Sequence, residues 1–178
     1  MSEYRIATRY AKSLLTLCKE QNLVEEIKKD MSLINSTISE VRDFSSMLKS
    51  PIIKDNTKTK ILETVFKGKI HSLTLSFILL VTKKGRASIL EPITSEFRQQ
   101  YLVFKGIQEV SLTTTFKVDP ILKKEFEEAV RKLTKKTPYL TEKVSEDIIG
   151  GFVLDIGDRR IDASIKTNLE KIEYELTN

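Results

Sequence analysis

Few side chains in this sequence could do chemistry. His71 is the only histidine and Cys18 the only cysteine. A general base needs a partner that orients it, and no Asp or Ser stands in motif spacing with His71. Cys18 lies on the apolar side of a helical pattern, which predicts a buried, inert thiol. One His and one Cys do not make a zinc site without carboxylates or a second chain. Asp155, Asp158 and Asp162 form the one acidic cluster whose spacing is worth weighing. An EF-hand loop needs the D-x-D-x-D-G pattern and a distant Glu, and this segment lacks them. Turn and cap roles account for Asp158 and Asp162 without a metal. Gly150-Gly151 precedes a strand, whereas a dinucleotide-binding loop follows one and needs a third glycine. Lys67-Gly68-Lys69 lacks the remainder of a P-loop. The expectation is therefore no catalytic residue, no cofactor and no metal: an adaptor, not an enzyme.

The elements around these residues follow from periodicity. The most apolar stretch, Leu73 to Val81, has only Thr74 and Ser76 near its start and Thr82 after it. It is too short to span a membrane, which takes about 20 apolar residues. A short apolar run fits helix or buried strand equally, and the helical patterns on both sides favour helix. An all-round apolar helix is expected to be a central rod surrounded by others.

Before it, a first helix carries Ala7, Tyr10, Ala11, Leu14, Leu17 and Cys18 at spacings of three and four. The small pair Ala7/Ala11 permits close approach of another helix. A second helix presents Leu23, Ile27, Met31, Ile34, Ile38 and Val41. A short third carries Phe44, Met47 and Leu48 and ends before Pro51. A fourth runs from Asp55 to Phe66, with Ile61, Leu62, Val65 and Phe66 inward and Gly68 as its stop. The central helix ends at Gly85. A sixth runs to Phe104 with Leu90, Ile93, Phe97, Tyr101 and Phe104 on its stripe, and Gly106 closes it.

The period then changes to two. Val110, Leu112, Thr114, Phe116 and Val118 alternate as a strand. Asp119-Pro120 starts a helix whose stripe is Leu122, Phe126, Ala129, Val130 and Leu133. Strands follow from Pro138 to Val144 and over Phe152, Leu154 and Ile156. Gly157-Asp158 makes a two-residue hairpin turn with Gly first. Asp162 caps a last helix with Ile165, Leu169, Ile172 and Leu176 inward. The fold class expected is mainly α: a six-helix N-terminal bundle over 1–105, then a small α+β domain over 106–178.

With 40% hydrophobic residues the chain can bury a core. A lone cysteine rules out an internal disulfide and argues against an oxidising compartment. Met1 leads straight into the first helical pattern, so no signal or transit peptide is expected and the reading is cytosolic, or the cytosolic face of a membrane. Residues 1–105 carry 18 Lys and Arg against 11 Asp and Glu; residues 106–178 carry 12 against 14. The basic half leaves a helical nucleic-acid-binding module as the alternative function, although its lysines are scattered in pairs without interleaved aromatics. An unrecognised carboxylate site at Asp155, Asp158 and Asp162 is the enzyme alternative.

Three segments, taken in order, resemble one family. Ala7-Thr8-Arg9-Tyr10-Ala11-Lys12-Ser13-Leu14 is similar to the opening of the delta subunit of bacterial F-type ATP synthases, the oligomycin-sensitivity-conferring protein of mitochondria. Lys83-Lys84-Gly85-Arg86 followed by Leu90, Ile93 and Phe97 resembles its glycine-arginine junction. Ile149-Gly150-Gly151-Phe152-Val153-Leu154-Asp155-Ile156-Gly157-Asp158, with Ile161-Asp162-Ala163-Ser164-Ile165 and Leu169, resembles its Gly-Gly strand, Ile-Gly turn, Asp-x-Ser and final helix. Two departures are Arg9, where many relatives have Pro, and Thr115-Phe116-Lys117, where many have Ala-Pro-Leu.

The resemblance implies a non-catalytic peripheral-stalk subunit. Its helical domain would hold N-terminal segments of the alpha subunits. Its C-terminal domain would grip the b subunit. It implies one copy per complex without homo-oligomers, no nucleic acid, and indirect, peripheral association with the cytoplasmic face of the bacterial inner membrane. The family's groove between first and fifth helices would here be lined by Ala7, Tyr10, Ala11, Leu14, Phe77, Leu80 and Val81; Phe77 and Leu80 fit core and groove equally. Gly85, Arg86, Gly150, Gly151, Gly157, Asp162 and Ser164 would be structural, with Gly150 and Gly151 serving close packing or a bulge.

Overall fold

A computed structural model describes residues 3–177; Met1 lies outside the described residues. The protein is mostly helical with one small sheet. It divides into two compact units, Met1–Tyr101 and Leu102–Asn178.

The first unit is built from α1 (Glu3–Glu20), α2 (Val24–Glu40), α3 (Arg42–Lys49), α4 (Asp55–Phe66), α5 (Ser72–Lys83), a 3-10 turn at Ala87–Ile89 and most of α6 (Leu90–Lys105). Their apolar stripes meet in one core that includes Ala7, Ala11, Leu14, Ile27, Ile34, Leu62, Phe66, Ile78, Val81, Ile93 and Phe97. Ala7 and Ala11, fully buried, remove bulk from the inner face of α1. The Val41 position falls outside the α2 stripe: it is extended backbone at the end of the helix and about half exposed.

Two polar groups stitch this unit from inside. Lys58 on α4 is buried, and its ammonium donates to the carbonyls of Leu48 (2.9 Å) and Ser50 (2.7 Å), satisfying the C-terminal end of α3. Asp30 on α2 accepts from the His71 N–H (2.9 Å) and the Thr74 hydroxyl (2.7 Å), so its carboxylate sits at the positive end of α5. His71, half-buried, is the N-cap of α5: its Nδ1 accepts from the Leu73 N–H at 3.2 Å. Its role is structural.

α5 is not a rod surrounded on all sides. Thr74 and Thr82, two of its polar residues, are fully buried, while Leu80 is 51% exposed and Leu73, Leu75, Phe77 and Leu79 are half-buried. The inversion has a simple cause. The hydroxyl of Thr74 is consumed by Asp30 and that of Thr82 donates to the Ile78 carbonyl at 2.8 Å. Neither enters the core unsatisfied. One apolar flank of α5 is thereby left toward solvent.

The second unit is a four-stranded sheet in the order β2 (Thr137–Val144), β1 (Ile107–Thr114), β3 (Gly151–Ile156), β4 (Arg159–Ser164). β1 and β2 are parallel and joined by α7 (Pro120–Thr134); β3 is antiparallel to β1 and β4. Val110, Leu112, Val118, Val130, Leu140, Leu154 and Ile156 form its core, with Phe126 stacked edge-on against Phe152 at 4.9 Å. α7 starts where Asp119 accepts from the Ile121 N–H (3.3 Å) and Pro120 opens the helix. α8 (Ile165–Thr177) ends the described chain.

Three expectations change here. β1 stops at Thr114 instead of running to Val118, because the Thr114 hydroxyl donates to the Phe116 carbonyl and turns the backbone. Of the α7 stripe only Val130 is buried and Phe126 half-buried; Leu122, Ala129 and Leu133 are exposed, since so small a sheet covers only the middle of the helix. The α8 stripe is exposed instead of inward: Leu169 is 52%, Ile172 53% and Leu176 83% exposed, and Ile165, which lies against Gly150, is still 46% exposed.

Candidate partner-docking surfaces

α1 and α5 bring Tyr10 and Phe77 together edge to face, ring centres 6.2 Å apart. Leu80 lies one helical turn beyond Phe77 and continues the apolar flank. Ala7, Ala11, Leu14 and Val81 are buried and supply the layer beneath, so they cannot present area to a partner in this conformation. The strip that reaches solvent is thus narrower than the seven residues expected from the sequence: Leu80, exposed, with Tyr10 and Phe77 half-buried beside it. Leu17, seven positions after Tyr10 and 40% exposed, extends the same side of α1. The spacing from Tyr10 was the signal for it; the groove expected from the sequence ended on α1 at Leu14.

The junction after α5 positions a further residue on this strip. The N–H of Gly85 donates to the Thr82 carbonyl (2.9 Å) and that of Arg86 to the Val81 carbonyl (3.2 Å), a Schellman ending with Gly85 in the left-handed region. The backbone is then directed so that Arg86 Nη1 donates to Tyr10 Oη at 2.8 Å, with the guanidinium carbon 5.7 Å from the ring centre. Ile6, Arg9, Tyr10, Ser13 and Arg86 enclose a shallow depression here.

In the second unit, Gly150 and Gly151 let two backbones meet. A Cβ on Gly150 would lie 2.6 Å from Ile165 Cδ1, and one on Gly151 only 2.3 Å from the Ala163 carbonyl oxygen. Gly151 also has φ +77°, which side-chain-bearing residues rarely adopt. The Gly150 carbonyl accepts from the Ile165 N–H at 2.9 Å, tying the start of α8 to the sheet. Gly157 makes the two-residue β3–β4 turn.

The cap of α8 is Ser164, whose hydroxyl accepts from the Thr167 N–H (3.2 Å); Asp162 acts one step back, accepting from the Ser164 N–H (3.0 Å) and the Thr167 hydroxyl (3.0 Å). The Ser164 N–H holds the Asp162 carboxyl below its ordinary value, aided by the Ser164 and Thr167 side chains. The helix so anchored displays Ile165, Leu169, Ile172 and Leu176 to solvent.

The three aspartates have separate tasks. Asp155 faces Arg160 at 3.8 Å, Asp158 sits in the hairpin turn, and Asp162 belongs to the α8 cap. Among the described residues no three metal-ligating side chains converge. Burial pushes the Cys18 thiol up to about 11, which leaves almost no thiolate near neutrality. Among the described residues, no helix is long and apolar enough to cross a membrane. What the molecule offers is two apolar surfaces, one on each unit.

Residues 6–176 match the family model described as ATP synthase delta (OSCP) subunit. The chain is 37% identical over 177 residues to the ATP synthase subunit delta of Cytophaga hutchinsonii, covering 99% of this chain and 97% of that one. It is 36% identical over 172 residues to the ATP synthase subunit delta of Christiangramia forsetii, covering 97% and 93%. A chain in the solved mitochondrial ATP synthase hexamer of Toxoplasma gondii has the same fold, with a TM-score of 0.72 at 19% identity over 97% of both chains. Matched end to end in this way, the chain belongs to the ATP synthase delta (OSCP) subunit family.

Proposed function

We infer that this protein is the non-catalytic peripheral-stalk subunit of an F-type proton-translocating ATP synthase, joining the catalytic head to the b-subunit stalk. Family membership over the whole chain carries the reading. The six N-terminal helices act as one bundle, and the Tyr10–Phe77–Leu80 strip takes an amphipathic N-terminal segment of an alpha subunit, by helix-in-groove recognition. The exposed α8 stripe takes the end of the b subunit. One copy serves each complex, held peripherally at the cytoplasmic face of the inner membrane through its partners.

The mechanical task follows from the two surfaces. A stator has to stop the head from turning with the rotor, so it needs one attachment to the head and another to the stalk. Each attachment buries apolar surface that the free chain leaves in water, a gain offset in part by the cost of association. The polypeptide between them passes the load. Held so, the head is driven through its conformations by the rotor instead of turning with it.

The test uses membrane vesicles that carry the remaining subunits but lack this one. Adding the full chain is expected to restore ATP-driven proton pumping. Chains with Leu169→Asp and Ile172→Asp, or with Leu80→Asp, are expected to fold and fail. Full restoration by both variants would overturn the assignment of the two surfaces.

A further inference from the structure

One end of the α1/α5 strip is cationic, and its charge has no counterpart among the described residues. Ile6, Arg9, Tyr10, Ser13 and Arg86 enclose a depression of about 290 Å³ with two guanidinium groups and no carboxylate on its walls. Arg86 is set in place by the Schellman ending of α5 and by the Tyr10 hydroxyl, which takes only one of its donors. Arg9 projects from α1 one residue before Tyr10 and is exposed. Among the described residues neither arginine forms an ion pair within the chain. One carboxylate that α1 engages, Glu96, accepts from the Thr8 hydroxyl at 3.0 Å, on a flank about 100° around the helix from Arg9.

We propose that this corner is a carboxylate-recognition subsite: the helix docked on the strip places an Asp or Glu between Arg9 and Arg86. The inference rests on the docking reading above and adds to it a requirement on the occupant. An apolar strip alone specifies neither direction nor register, because an amphipathic helix slides or reverses on it at little cost. A pair of cations at one end, Arg86 held on Tyr10 and Arg9 beside it on α1, removes that degeneracy, since only one register brings an acid to them. Arginine suits the task. Its planar fork can lie on the Tyr10 ring and still offer edge donors to a carboxylate, as a lysine ammonium cannot.

The experiment is a calorimetric titration of the full chain with a synthetic peptide copying the N-terminal segment of the source organism's alpha subunit. Further peptides replace each Asp or Glu in turn by Asn or Gln. One of these is expected to bind about two- to fivefold more weakly at low salt, and Arg9→Gln or Arg86→Gln to cost about the same. Combined, the peptide and protein changes are expected to cost less than their product, as a double-mutant cycle shows for groups in contact. The difference is expected to shrink at high salt. Arg9→Gln changes an exposed helical residue, so it reads the subsite even where Arg86→Gln disturbs the junction. Binding that is indifferent to both arginines, or losses that simply multiply, would remove the subsite and leave the docking surface standing. No binding of the parent peptide to the folded wild-type chain would remove both.

Discussion

Arg86 and Tyr10 are 76 positions apart in the chain, and Arg86 Nη1 donates to Tyr10 Oη at 2.8 Å. The same Tyr10 ring lies edge-on to Phe77. One side chain of α1 is thus the meeting point of the end of α5, its flank, and the turn after it.

Two substitutions at Tyr10 separate these roles. Tyr10→Phe keeps the ring and loses the hydroxyl; it is expected to cost about 0.5–1 kcal/mol by urea denaturation. Tyr10→Ala also loses the edge-to-face pair and the cation–π contact and is expected to cost about 2 kcal/mol or more. Equal effects would mean that the ring contributes nothing to the junction.

Lys58 is the one buried lysine that the structure describes, and it holds two carbonyls at the end of α3. Lys58→Met keeps the stem and removes the donors. It is expected to destabilise the first unit by about 2–3 kcal/mol, the penalty for charged hydrogen bonds lost and carbonyls left without a donor. Hydrogen exchange is expected to accelerate first at the α3–α4 connection.

Gly68 and Gly151 share a φ of +77° but differ in surroundings. Nothing stands within 4 Å of a Cβ on Gly68, whereas the Ala163 carbonyl blocks one on Gly151. Gly68→Ala is expected to cost about 1–2 kcal/mol, the left-handed penalty alone. Gly151→Ala is expected to cost more than about 3 kcal/mol and to unfold the second unit at lower urea. Similar melting of the two variants would show that the β3–β4 contact is looser than described.

Acid is expected to weaken the second unit through two carboxylates. The side-chain hydrogen bond from Lys123, 2.8 Å away, holds Glu142 below its ordinary value. The backbone N–H of Ser164 does the same for Asp162. Both folded-state values lie below the unfolded ones, so their contribution is complete above about pH 4.3 and is lost as the pH falls through the lowered values. Lys123 is raised by the same pair, so its share is lost only at strongly alkaline pH. Urea midpoints between pH 7 and pH 3 check this: Glu142→Gln and Asp162→Asn are each expected to flatten the acid limb.

Much of the architecture was legible without coordinates because it is written locally. Caps, stops and turn glycines act over a few residues: Asp119-Pro120 opens α7, Gly85 ends α5, and Gly157 turns β3 into β4. Periods of 3.6 and 2 distinguish the helices from the strands. The boundary at Thr114 was not legible, since the alternation runs on to Val118 while a single hydroxyl turns the backbone. The α8 cap was misread by two residues, because Asp162 and Ser164 both suit the position and only the hydrogen bonds to Thr167 assign it.

The division between sequence and tertiary structure falls at long-range pairing. By itself the sequence determined the elements and the family, because both depend on residue types at short fixed spacings. It did not determine which apolar residues remain in water. Thr74 is buried because Asp30, 44 positions away, supplies the partner that lets its hydroxyl enter the core, and Thr82 because its hydroxyl donates to the Ile78 carbonyl; Leu80, on the other flank, stays exposed. The α8 stripe stays outside because, among the described residues, no second layer of its own unit covers it. Hydropathy ranks side chains by the cost of leaving water. The partners that offset that cost come together only when the chain folds.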